Sequence, residues 1–182
     1  MAGERAKHRY YHDSILNGKP VKRTPSDKVV WKGNDTYILA VNSQSPPKQR
    51  ERAEKVGLIA NRETGYDFLP YHARFKYEDN TYAFILVKDS KAIGFIVTCM
   101  PEAVWNSSEE KLSSGSHNIA LTICFIWIAK NCRQKGYGKL LVDKALKYQN
   151  KTINNVGWYP PLTKLGEKLA LNLCPNGLYY AK

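Results

Sequence analysis

Residues Arg133–Gly138 read Arg-Gln-Lys-Gly-Tyr-Gly and stand between two segments of opposite character. The apolar run Leu121–Ala129 precedes them, and Lys139–Tyr148 follows with apolar residues at helical spacing. Strand, glycine turn and helix in that order confine this stretch to a β-loop-α unit. Such a unit leaves backbone N–H groups free at the positive end of the helix, where a phosphate can sit. An Arg-x-x-Gly-x-Gly pattern arises by chance about 0.1 times in a chain of this length at average glycine usage. The flanks therefore carry most of its weight.

The chain has 182 residues and 43% apolar content, enough for one domain with its own core. No N-terminal stretch joins a basic start to an apolar run and a small-residue cleavage site, so the sequence predicts no signal peptide. No apolar run approaches the ~18–20 residues of a membrane helix, so no membrane partner is expected. The four cysteines, Cys99, Cys124, Cys132 and Cys174, form no Cys-x-x-Cys pair and read as buried free thiols of a reducing compartment. The net charge is +12. Between Lys130 and Lys151 lie seven Lys or Arg residues against one acid, Asp143. A basic surface around a phosphate loop attracts anions, and it also suits nucleic acid.

Residues 1–28 form a basic N-terminal segment with a helical stretch Glu4–Asn17, and residues 29–182 read as the folded domain. Val29–Trp31 and Thr36–Val41 are expected strands, Pro46–Arg62 a charged helix, and Thr81–Val87 with Ala92–Cys99 a β-hairpin. Pro101–His117 is polar and serine-rich and is expected to form a surface loop. Ile119–Ile128 reads as a central strand covered on both faces, and Lys139–Gln149 as an amphipathic helix. A strand Thr152–Trp158, a helix Thr163–Leu173 and a strand Gly177–Ala181 close the chain. This order predicts an α/β (α+β) domain with a mixed central sheet flanked by helices.

The loop lacks the third glycine of a Rossmann site and the Gly-Lys-Ser/Thr of a P-loop. Gly136 and Gly138 would let backbone approach a pyrophosphate, with charge from Arg133 and Lys135. The same glycines also suit a plain tight turn.

These residues resemble the acetyl-CoA motif of the GNAT N-acetyltransferases. The resemblance implies acetyl-CoA as coenzyme, with Arg133, Gln134, Lys135, Gly136, Tyr137, Gly138 and Lys139 around the pyrophosphate. It also implies that Ile126, Trp127 and Ile128 pair with the pantetheine arm through their backbone. A narrower likeness is to the cohesin-type lysine acetyltransferases. It rests on Ile126-Trp127-Ile128, Leu141-Val142-Asp143, Thr163-x-x-Gly166 with Ala170 and Cys174, and His8-x-x-x-His12 before Leu16-Asn17-Gly18. That family's zinc finger has a cysteine half, which this sequence lacks, and Pro161 and Leu165 replace its usual aspartates. No metal is expected.

The resemblance implies direct attack of a primary amine, most simply a protein lysine, on the thioester. Asp143 is the candidate base, although Lys139 and Lys147 one turn away also make it a surface ion pair. Tyr179 and Tyr180 are candidate acids for the leaving thiolate, and a backbone N–H near Ile128 a candidate to polarise the carbonyl. A small amine or an RNA-linked acceptor, and a non-catalytic acyl-CoA or nucleic-acid binding module, stay open. The expected location is intracellular, cytoplasmic for a prokaryotic or viral chain and nuclear for a eukaryotic one.

Overall fold

The sheet is assembled from alternating apolar strands whose local turns fix their pairing. In this computed structural model the described residues are 2–66, 71–74, 80–100, 104–106, 111–113, 119, 121–175 and 178–181. Helix α1 (Ala2–Asn17) leads into the short β1 (Lys19–Pro20), then β2 (Lys28–Lys32) and β3 (Thr36–Val41). Helix α2 (Pro47–Thr64) follows, then β4 (Tyr82–Lys88) and β5 (Lys91–Cys99). Asp89 and Ser90 between β4 and β5 both have positive φ (47° and 58°), the backbone that lets a two-residue hairpin follow the strands' twist. The remaining elements are β6 (Val104–Asn106), β7 (Lys111–Ser113), β8 (Leu121–Ile128), α3 (Tyr137–Tyr148), β9 (Val156–Trp158), α4 (Lys164–Leu173) and β10 (Tyr179–Ala181).

The strands order as β2-β3-β4-β5-β8-β9-β10-β6-β7, with β1 paired to the start of β5. Among the described strands, only β8–β9 and β9–β10 are parallel. Strands β4 and β5 supply the centre of the core, with Phe84, Ile85, Leu86, Phe95 and Ile96 fully buried. Side-chain alternation sends neighbouring β8 residues to opposite faces. Trp127 faces α2, where its indole reaches Glu63. Ile128 faces α3, on the same side of Gly94 as Leu141. Helix α2 buries Ala53, Val56, Ile59 and Ala60, and α3 buries Leu141, Val142, Ala145 and Leu146, each on one apolar stripe.

Four expectations change. The stretch 101–117 holds two short strands, β6 and β7, that pair with each other and with β10; its other residues lie outside the described ones. The strand expected at Thr152–Trp158 keeps only Val156–Trp158, after a 3-10 turn at Ile153–Asn155. Strand β8 is not covered on both faces, since Cys124, Ile126 and Ile128 are half-buried. Cys99 and Cys124 are not free thiols: Cys99 stands opposite Thr122 and Cys124 is the extra residue of the register shift on β8, which places their Cα atoms 6.6 Å apart in a disulfide. Their separation of 25 residues gave no local sign of this contact.

Candidate active site

The site grows from a divergence between β8 and β9. Their parallel register runs from Leu121↔Val156 to Ile123↔Trp158, and the Tyr159 N–H donates to the Ile123 carbonyl at 3.0 Å. Beyond that point β8 continues to Ile128 while the chain after β9 turns away through Pro160 and Pro161. Five residues at ~3.3 Å each leave an edge of roughly 17 Å that no strand among the described residues pairs with. On its other edge β8 still pairs with β5, where a register shift between Val97 and Thr98 places an extra residue on β8. The Ala129 N–H donates to Ile93 O on the β5 side at 2.8 Å. Alternation therefore turns the polar groups of Ile126 and Ile128 toward the opened edge.

A groove of about 770 Å³ follows this edge, lined by Ile126, Trp127, Ile128, Arg133, Gln134, Gly136, Gly138 and Lys139 and by α4 residues from Lys164 to Asn172. At its loop end, Gly136 caps α3 with φ +80° and no side-chain cap. The first N–H groups of a helix have no intrahelical partner, so the first turn of α3 presents amides and a partial positive charge to the groove. A Cβ built on Gly136 would meet nothing within 4 Å, so the space above it is open to a ligand. A Cβ on Gly138 would stand 3.2 Å from Leu169 Cδ2 of α4. Gly136 thus leaves the first turn of α3 open to the groove, and Gly138 lets α3 and α4 approach. An elongated groove with backbone hydrogen-bonding groups along one wall and helix amides at one end fits an acyl-CoA.

The loop side chains divide. Lys139 lines the groove and is exposed. Arg133 is engaged with protein: its Nε donates to Ile128 O at 2.8 Å and its Nη2 to Glu63 Oε1 at 2.6 Å. Lys135 donates to Asn131 O at 2.7 Å, and the Tyr137 hydroxyl meets Lys88 Nζ at 3.2 Å. The side chains of Lys135 and Tyr137 are not among the groove's lining residues.

At the far end the groove meets a narrow pocket of about 30 Å³, lined by Tyr66, Cys124, Phe125, Trp158, Tyr159, Pro161 and Leu162 among others. Thr64, Ile126, Thr163 and Gly166 line both. The Thr163 hydroxyl caps α4 by accepting from Gly166 N–H at 3.1 Å. Burial pushes the Tyr66 phenol above its ordinary pKa, so it stays protonated.

The candidate acid–base residues are not in this groove. Asp143 sits on the exposed face of α3, its Oδ2 accepting from Lys144 Nζ at 2.7 Å, beside a second hollow along the helix that shares Gly136 and Lys139 with the groove. Tyr179 and Tyr180 lie in register with Gly157 and Trp158 on β10, and Tyr179 packs on Ile119. His8 and His12 meet edge to face in α1 with centroids 4.7 Å apart. Among the described residues no three His, Cys, Asp or Glu side chains group as metal ligands, and no helix is long and apolar enough to cross a membrane. Glu63 escaped the sequence reading, which ended α2 at Arg62. Nothing local marks it, because its partners are 64 and 70 residues away.

The acetyltransferase (GNAT) family profile matches residues 50–155, more than half of the chain. The chain belongs to that family: it is a GNAT acetyltransferase, and its coenzyme is acetyl-CoA. No curated protein matches by sequence. Among solved structures, the xEco2 acetyltransferase domain superposes with a TM-score of 0.71 at 17% identity, covering 88% of this chain and 98% of that one. The same domain bound to a CoA conjugate gives 0.70 at 17% identity, covering 86% and 98%. An aminoglycoside acetyltransferase, meta-AAC0020 from an uncultured soil metagenomic sample, gives 0.47 at 16% identity over 79% and 87%.

Proposed function

We propose that this chain transfers the acetyl group of acetyl-CoA to the side-chain amine of a protein lysine. The observation that carries this reading is the narrow, aromatic-walled pocket at the thioester end of the groove. By the ~10–15 Å³ that one water needs, its volume holds about two water-sized groups in a row. That bore suits an unbranched alkyl amine. The xEco2 domain of similar fold, bound to a CoA conjugate, supports the coenzyme half of the reading.

Acetyl-CoA supplies an activated thioester; the rest falls to the protein. Amides at the start of α3, with Lys139, hold the phosphates. The open edge of β8 would hold the arm, with Ile126 and Cys124 at its far end beside the pocket. Ile128 lies at the loop end, next to Arg133, so the Ile126 N–H is better placed to polarise the carbonyl.

The incoming lysine must be neutral, although its ordinary pKa is ~10.4. None of the described lining residues of the pocket is a carboxylate. Desolvation between Tyr66, Phe125, Trp158 and Leu162 disfavours the ammonium and lowers that pKa. As the amine attacks, the C–N bond forms and the C–S bond breaks; the nitrogen releases a proton and the coenzyme thiolate takes one up. No enzyme nucleophile is required, and Cys124 is held in its disulfide.

Incubation with labelled acetyl-CoA and a cell lysate tests the acceptor. Label on acetyl-lysine in identified proteins is expected. Label confined to small amines or to RNA overturns the lysine assignment.

A further inference from the structure

We infer that Glu63 is a positioning residue that sets the shape of the coenzyme loop. Glu63 lies in the last turn of α2, on the opposite sheet face from α3, and its side chain is only 11% exposed. Its two oxygens are divided between two parts of the coenzyme motif. Oε2 accepts from Trp127 Nε1 on β8 at 2.7 Å, and Oε1 accepts from Arg133 Nη2 in the loop at 2.6 Å. Arg133 then turns its Nε to the Ile128 carbonyl at 2.8 Å. One carboxylate thus ties helix α2, the end of β8 and the loop into a closed set of charge-assisted bonds.

The loop has a reason to need it. Gln134 and Gly136 both adopt left-handed backbone, with φ of 60° and 80°. For a non-glycine residue such as Gln134 that conformation persists only where its surroundings over-determine it. Arg133 is the residue immediately before, and with Lys130 Nζ 3.8 Å from the same carboxylate, both ends of the 3-10 turn Lys130–Cys132 face Glu63. The arrangement also assigns Arg133 a different task from direct phosphate binding. Its charge is used within the protein, and the phosphates are left to backbone amides and Lys139. Glu63 acts before the ligand arrives, by removing the cost of ordering the loop on binding.

This inference rests on acetyl-CoA occupying the groove, and the test separates the two. Calorimetry on the full chain measures CoA, which has the pyrophosphate, against S-acetylpantetheine, which lacks it. In Glu63→Gln one oxygen becomes an amide that faces a donor, so one bond is lost at constant shape. CoA affinity is expected to fall about tenfold, as for one charge-assisted hydrogen bond, with S-acetylpantetheine affinity within about twofold of wild type. Glu63→Asp, which keeps the charge, is expected to recover part of the loss.

Equal or tighter CoA binding by Glu63→Gln overturns the inference and leaves the coenzyme assignment standing. Absence of CoA binding by the wild type overturns both. A parallel fall for both ligands, or loss of the cooperative melt in both variants, assigns Glu63 a merely structural role and also overturns the inference.

Discussion

The Tyr66 hydroxyl donates a 2.7 Å hydrogen bond to the carbonyl oxygen of Pro161, 95 residues further along the chain. It joins the end of α2 to the segment between β9 and α4, and both residues line the narrow pocket. Removing the hydroxyl should loosen that wall and leave the phosphate end untouched. One such bond is worth ~1 kcal/mol, so Tyr66→Phe should raise the acceptor KM about fivefold with CoA affinity unchanged. Steady-state kinetics against each substrate in turn checks the split.

The two loop glycines should fail in different ways. The space above Gly136 is open, and Asn and Asp both tolerate positive φ. Gly136→Asn should therefore keep most CoA binding, while Gly136→Asp should lose at least about tenfold by like-charge repulsion at the phosphates, with folding preserved. Gly138→Val should instead destabilise the protein by ~1–3 kcal/mol, because its side chain meets Leu169 of α4. Calorimetric binding and thermal melts on the three variants separate ligand loss from packing loss.

Asp143 offers a sharper decision. Its side chain is 59% exposed and paired with its neighbour Lys144, a contact that contributes little. Asp143→Asn should leave acetyl transfer within about twofold of wild type. A drop of two or more orders of magnitude, the size expected on losing a general base, would return this residue to the chemistry.

What could be read from the sequence follows from range. The β-loop-α unit was readable because its signals are local: an apolar run, two glycines and a helical stripe ending at Leu146. The hairpin of β4 and β5 was equally local. The groove depends instead on where β9 leaves β8, which Pro160 and Pro161 decide from 30 residues away. The bonds of Arg133 were not legible, because neither Glu63 nor the Ile128 carbonyl announces that it will take up the guanidinium. Asp143 was read as a candidate base from likeness of helix sequence alone, which carries no information on its exposure or its pairing with Lys144. Pairing of Cys99 with Cys124 needed the strand order, which no local pattern in either strand encodes.

Asp27 and Arg52 give the fold a measurable acid sensitivity. The Asp27 side chain is fully buried, and Arg52 contacts both of its oxygens, at 2.5 Å to Oδ1 and 3.0 Å to Oδ2. Burial acts to raise the carboxyl's pKa, but the Arg52 hydrogen bonds, followed by the Thr24 N–H at 2.8 Å, more than offset it and hold it below the ordinary value. A lowered folded-state value means that the unfolded chain binds the proton more readily. The stabilisation is therefore complete above the unfolded pKa of ~3.9 and is lost as pH falls through the folded value. Urea unfolding between about pH 2 and 6 should show this slope in the wild type and a shallower one in Asp27→Asn. Arg52→Leu leaves the carboxylate buried without its partner and should cost ~3–5 kcal/mol at neutral pH. That cost should shrink toward acid, as protonation removes the unpaired charge. A penalty independent of pH would show that Arg52 stabilises the fold through its packing and its bond to the Lys22 carbonyl, and not through the charge on Asp27.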